Sequence, residues 1–150
     1  MIDIRNLSRK YGSTVAVDSV SLTIGAGQVV GLLGHNGAGK TTMMKMMTGF
    51  LEPTSGSVTV DGVDVVADRQ AAQRLIGYLP ENAPLYPEML VQEYLATMAE
   101  LRGITGDAAR KAVVEAATDT GLLDRLVQPI GTLSKGYRQR VGLAQAIVHR

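Results

Sequence analysis

The chain has 150 residues, of which 45% are hydrophobic and 19% charged; this is enough apolar content for a packed core and excludes a disordered segment. Lys and Arg total 15 and Asp and Glu 14, a formal net charge of +1, so charge offers no broad basic face for nucleic acid. Cysteine is absent, which excludes disulfides and thiolate metal sites and fits a reducing compartment. No apolar run reaches the roughly 18 residues that argue for a membrane span, and residues 1–5 do not read as a signal peptide.

Along the chain, residues 1–6 alternate apolar and polar, and Lys10-Tyr11-Gly12-Ser13 reads as a turn. A second alternating run sets Val20, Leu22 and Ile24 against Ser19, Ser21 and Thr23. Residues 28–33 (Gln-Val-Val-Gly-Leu-Leu) are nearly all apolar, the pattern of a strand buried on both faces of a parallel sheet. A glycine-rich turn follows, then a predicted helix over about 40–50. On it Met43, Met46, Met47 and Phe50 recur at i, i+3, i+4 and i+7, a stripe that predicts core packing rather than an adaptable methionine surface. Residues 56–66 read as a hairpin turned at Asp61-Gly62. Asp68 is placed to cap a helix over 69–75, and 76–79 read as a second short apolar strand. Pro80, Pro84 and Pro87 mark a loop and a subdomain boundary. Helices are predicted over 91–102 and 107–120, the second with Ala109, Ala112, Val113, Ala116 and Ala117 on one face. Pro129 breaks the chain, and Ser134 is placed to cap a last helix from Lys135 onward. That helix is expected to stay regular and apolar through 143–148, with no glycine or proline stop signal, so the end reads as a cut inside a domain.

Gly34-His35-Asn36-Gly37-Ala38-Gly39-Lys40-Thr41 matches the phosphate-loop pattern G-x-x-x-x-G-K-[ST]. The glycines permit backbone angles that let N–H groups crowd around phosphate oxygens. The loop feeds a helix N-terminus, whose dipole favours anions. Lys40 supplies a point charge for the terminal phosphates, and Thr41 offers a hydroxyl to Mg²⁺, a hard ion that takes oxygen ligands. Asn36, Ala38 and Thr42 complete the expected binding set. Chance would place the four fixed residues in roughly one such sequence in a hundred, and the flanking strand and helix make coincidence rarer. The motif alone leaves GTPases, kinases and ATPases open.

A second constellation narrows the choice. Leu133-Ser134-Lys135-Gly136-Tyr137-Arg138-Gln139-Arg140 resembles the signature motif of ATP-binding cassette (ABC) ATPases, usually L-S-G-G-Q, with Lys135 and Tyr137 departing from it. The whole chain is similar to the N-terminal half or more of an ABC transporter nucleotide-binding domain. Residues 76–82, with Leu85-Tyr86-Pro87 and Glu93-Tyr94-Leu95, resemble the branch that drives bacterial exporters of drugs, lipids or polysaccharides, gliding-motility and copper-enzyme-maturation transporters among them. The physical content of the signature is a serine cap on a helix start with glycine beside it, an anion site of hydroxyl and N–H groups.

The resemblance implies an α/β fold: a P-loop NTPase core with an N-terminal antiparallel β subdomain (about 1–79 and 126–150) and an inserted helical subdomain (about 80–125). It implies that ATP and Mg²⁺ bind the phosphate loop and that Tyr11 stacks on adenine, where a tyrosine in a turn otherwise covers apolar surface. Ser134 and Gly136 would contact the ATP of a partner domain in a head-to-tail dimer. Glu81 takes the place of the glutamine that reaches Mg²⁺ and the attacking water; a carboxylate there is either a metal contact or a solvated loop acid. His35 replaces a residue that is often proline and is expected in solvent, and Lys135, Arg138 and Arg140 are expected on a solvated basic face. A membrane permease is the implied partner, docking around residues 80–87 at the cytoplasmic face. The hydrolytic carboxylates and switch histidine lie later in the family than Arg150, and His149 falls too early, in a helix. The 150 residues alone are therefore expected to bind nucleotide weakly, not to turn it over, and to be poorly stable without the next sheet strand. A soluble ABC ATPase of DNA repair or translation, and a non-catalytic nucleotide-binding module, are the alternative readings.

Overall fold

Alternation of apolar and polar residues at period two builds the first part of the chain. In the computed structural model, which describes residues 1–150, β1 (Ile2–Tyr11), β2 (Thr14–Ile24), β3 (Ser55–Val60) and β4 (Val63–Asp64) form an antiparallel sheet ordered β2-β1-β3-β4. Ile4 pairs with Leu22 on one side and Val58 on the other, so three apolar side chains share one face. Asn6 and Ser19 both have φ of 47° and sit where the β1–β2 register shifts. Side-chain hydroxyls absorb the break: Asn6 N–H donates to Ser21 Oγ at 2.9 Å and Ser19 N–H to Ser8 Oγ at 2.8 Å. The β3–β4 turn has positive φ at both Asp61 (47°) and Gly62 (84°), the pattern the sequence requires of a tight hairpin.

Helix α1 (Lys40–Met47) lays Met43, Met46 and Met47 into one core with Ile4, Leu7, Val17, Val58 and Val60. The methionine stripe is core, as expected, but Phe50 is not part of it. The helix ends at Met47, and Phe50 is 66% exposed, because Thr48 returns its hydroxyl to the carbonyl of Met44 at 2.8 Å and Gly49 turns the chain at φ 73°. Asp68 caps the short α2 (Arg69–Arg74), accepting from Ala71 N–H at 3.0 Å.

Two apolar runs do not become strands. Residues 28–33 carry no strand pairing and stand exposed, Val29 fully and Leu33 at 92%. A parallel strand needs neighbours to accept its backbone groups, and the four strands of this chain pair only with one another. For the same reason residues 76–79 are unpaired, and Leu79 is exposed.

The chain divides into two compact units, residues 1–76 and 77–150. The second holds α3 (Val91–Glu100), α4 (Gly106–Thr120) and α5 (Lys135–Ile147), with 3₁₀ turns at Leu123–Arg125 and Ile130–Thr132. Its core joins Val91, Tyr94, Leu95 and Ala99 of α3 to the predicted alanine face of α4 and to Val141 and Ala144 of α5. Small residues allow close helix approach. Glu93 returns its carboxylate to Leu90 N–H at 2.9 Å to start α3, and Gly121 at φ 65° ends α4. The last helix stops at Ile147, so Val148 and His149 lie in a turn instead of the expected continuation.

Candidate functional site

The phosphate-loop sequence folds as a turn over 36–39 that runs straight into α1. Gly37 and Gly39 both adopt φ of 85°, a region that L side chains resist. At Gly39 a second constraint applies: a Cβ would stand 2.2 Å from the carbonyl oxygen of Ala16 and 3.1 Å from Val17 Cγ2. The loop thus rests on β2, and only glycine fits. A Cβ built on Gly37 would meet nothing within 4 Å, so that side of the loop is open.

Lys40 begins α1 and folds back into the loop. Its Nζ donates to the carbonyls of Gly34 at 2.6 Å and His35 at 2.7 Å. The ammonium is held over the loop by main-chain oxygens alone, with no carboxylate within ion-pair distance, and its charge is available to an anion. Thr41 is exposed in the first helical turn, Thr42 is half-buried, and Asn36 and Ala38 are exposed. His35 is exposed as expected, with Nδ1 2.9 Å from the Asn36 carbonyl oxygen. The donor set suits Mg²⁺ held by one hydroxyl with phosphate oxygens and waters. No group of three His, Cys, Asp or Glu side chains exists to cage a metal by protein ligands.

Tyr11 ends β1 and pairs with Thr14 across Gly12-Ser13, with Gly12 at φ 57°. The strand extends further than expected, so Lys10 and Tyr11 belong to it and the turn is two residues long. Tyr11 is 49% exposed, and the guanidinium of Arg9 lies over its ring, 4.7 Å from the centroid. The same hairpin supplies Ala16 to Gly39, so the Tyr11 turn and the phosphate loop are braced on one element.

In the second unit Ser134 caps α5, its Oγ accepting from Tyr137 N–H at 3.4 Å, and nothing lies within 4 Å of a Cβ built on Gly136. Lys135, Gly136, Arg138 and Arg140 share a cleft of about 980 Å³ with Leu79 and Glu81. Glu81 is exposed and makes no ion pair with these cations. The basic face is less solvated than expected: Arg138 is half-buried and donates to the carbonyl of Leu133. Gly77 and Gly142 bring the loop against α5; a Cβ on Gly77 would stand 2.0 Å from the Ala146 carbonyl, and one on Gly142 2.8 Å from Leu79 Cδ1. Gln145 Nε2 donates to the Tyr78 carbonyl at 2.7 Å.

Besides the contact of Arg9 with Tyr11, sequence reasoning missed two arrangements. Tyr137, at the position of the usual signature glutamine, is half-buried, with the guanidinium carbons of Arg125 and Arg140 at 5.0 and 5.3 Å from its ring centroid. Arg102 is half-buried beside Tyr94; burial lowers its pKa and raises that of Tyr94. Tyr94 donates to the Pro84 carbonyl at 3.3 Å. Arg140, three places after Tyr137, was the only available signal for the first, since Arg125 lies twelve places before it.

A family model described as ABC transporter matches residues 17–150. The ABC transporter ATP-binding protein NatA of Bacillus subtilis is 38% identical over 154 residues, covering 99% of this chain and 63% of that protein. The probable multidrug ABC transporter ATP-binding protein YbhF of Escherichia coli is 41% identical over 133 residues, 89% of this chain and 23% of that one. The spermidine/putrescine import ATP-binding protein PotA of Pseudomonas aeruginosa is 36% identical over 150 residues, 100% of this chain and 41% of that one. A solved structure described as the ATP binding subunit of an ABC transporter superposes with a TM-score of 0.89 at 27% identity, covering 99% of this chain and 62% of that one. A dimeric bacterial ABC transporter cassette gives 0.83 at 26%, covering 99% and 70%. The chain thus spans less than two thirds of the curated relatives it matches, and the neighbours assign it the fold of an ABC-type P-loop NTPase.

Proposed function

The chain belongs to the ABC transporter family, and from that premise we propose that it is the ATP-binding part of a membrane transporter, coupling ATP binding and hydrolysis to transport. The observation that carries this reading is Lys40, whose ammonium is held inside the loop Gly34–Thr41 at the start of α1. A polyphosphate would exchange the two carbonyl contacts for phosphate oxygens. In this reading Gly34, Asn36, Gly37, Ala38, Gly39 and Lys40 hold the phosphates, Thr41 and Thr42 close the first turn around them, and Thr41 ligates Mg²⁺. Such an ion would supply positive charge against the terminal phosphates. Tyr11 stacks on the adenine. Ser134 and Gly136 meet the nucleotide of a second cassette head to tail, an arrangement supported by the dimeric cassette among the structural neighbours. The core with its β subdomain covers about 1–79 and 126–150, and the helical subdomain about 80–125.

No helix is long and apolar enough to cross a membrane. On family resemblance we assign the membrane path to a permease that docks at the cytoplasmic face around residues 80–87 and the helices after them. By family resemblance Glu81, exposed in that segment, takes the place of the glutamine that reaches Mg²⁺ and senses the permease, with a solvated loop acid as the other reading. The resemblance of residues 76–82 to exporter cassettes supports export, as against the import named for PotA. Turnover is assigned to the longer assembly: these 150 residues bind Mg·ATP but do not hydrolyse it. The test is calorimetric titration of the chain with Mg·ATP, with a steady-state phosphate-release assay beside it. Binding lost on Lys40→Ala, with no turnover in either protein, is the expected result. Wild-type affinity in Lys40→Ala, or turnover abolished by that substitution, refutes the corresponding half of the proposal.

A further inference from the structure

Arg9 is the cation of the first unit that buries a side-chain nitrogen without a hydrogen-bond partner. One terminal nitrogen donates to the Glu52 carbonyl at 2.9 Å. Its Nε is buried and has no hydrogen-bond partner, an arrangement that ordinarily costs free energy. No carboxylate neutralises it: the Glu52 side chain is engaged by Arg69 at 2.6 Å. What the guanidinium does contact is the ring of Tyr11, 4.7 Å from its centroid, within range of a cation–π interaction. Through Glu52 it is also tied to the segment that follows α1, the helix begun by the phosphate loop.

We propose that Arg9 is a positioning residue for base recognition. It closes one face of Tyr11 and fixes the ring, so that the exposed opposite face receives the adenine of ATP. The cation also draws ring electron density toward its own side, which lessens repulsion between the opposite face and the π-cloud of the base. This inference rests on the nucleotide-binding reading above, and deepens it by adding a residue that contacts neither base nor phosphate. The planar fork matters, since a lysine cannot lie flat on the ring while donating to the carbonyl.

The test is a double-variant cycle with two ligands. Wild type, Arg9→Met, Tyr11→Ala and the double variant are titrated with Mg·ATP and with Mg·tripolyphosphate, which has no base, after circular dichroism confirms folding. Arg9→Met is expected to weaken Mg·ATP by about two- to fivefold, to leave tripolyphosphate unchanged, and to have no further effect once Tyr11 is alanine. An equal loss for both ligands, an undiminished effect in the Tyr11→Ala background, or no effect on Mg·ATP overturns the proposal and leaves the nucleotide-binding reading standing. That reading falls, and this inference with it, if wild type binds neither ligand. Should Arg9→Met fail to fold, Arg9→Lys enters the same cycle with the same expected pattern.

Discussion

Gly39→Ala, set against Gly37→Ala, isolates the seat of the phosphate loop on the β1–β2 hairpin. Both glycines have φ of 85°, so each substitution carries the left-handed penalty of about 1–2 kcal/mol. Reduced freedom of the unfolded chain offsets about 0.4–1 kcal/mol of it in both cases. The surroundings differ. A Cβ on Gly37 meets nothing within 4 Å, whereas one on Gly39 lies 2.2 Å from the Ala16 carbonyl oxygen. Relieving that overlap requires the backbone of β2 or of the loop to shift, an overpacking cost of about 1–3 kcal/mol. The difference between the two variants is therefore about 1–3 kcal/mol in the stability of the first unit. For a unit of this size it lowers Tm by at least about 4 °C more in Gly39→Ala than in Gly37→Ala. Calorimetry and urea titration followed by circular dichroism measure this directly. Equal stabilities would refute the claim that Ala16 supports the loop.

Leu95, fully buried on α3, should lose about 2–5 kcal/mol of second-unit stability when replaced by alanine; a loss under about 1 kcal/mol in urea titration would show that the helices repack freely. Asp68→Ala removes the acceptor for Ala71 N–H and should cost about 1 kcal/mol, read by the same denaturation, with no measurable change counting against the cap. The Asp3 carboxyl is held below its ordinary pKa first by the Thr23 hydroxyl, which donates at 2.8 Å, and then by Arg5 at 2.7 Å. A depressed carboxylate contributes stability above its unfolded pKa and loses it as pH falls through the lower folded value. Thr23→Val should therefore raise the Asp3 pKa toward the ordinary value and shrink that acid-side loss; an unchanged NMR titration of Asp3 would contradict the assignment.

What could be read in the sequence was whatever local pattern decides. The phosphate loop, the Asp61-Gly62 turn, the Asp68 and Ser134 caps and the alanine face of α4 all follow from neighbours within about four residues. What the pattern could not supply was partnership. Residues 28–33 are apolar enough for a buried strand, yet strand formation depends on a neighbour that the four paired strands do not provide. Phe50 fits the helical stripe by spacing, but Thr48 and Gly49 end the helix before it. The arginines over Tyr11 and Tyr137 were equally hidden, because a cation–π contact depends on rotamers that spacing does not fix. Two readings from family resemblance, Glu81 near the metal and Tyr11 on the base, stay with the proposal, and the Tyr11→Ala titrations test the second.

The central claim is that main-chain amides and one ammonium at the start of α1 grip a polyphosphate. Heteronuclear NMR of the ¹⁵N-labelled chain during titration with Mg·ATP tests it most directly. The account predicts the largest amide shifts at Gly37, Gly39, Lys40 and Thr41, together with a changed environment at Lys40 Nζ as it leaves the carbonyls of Gly34 and His35. Loop amides that stay unshifted at saturating Mg·ATP would contradict it.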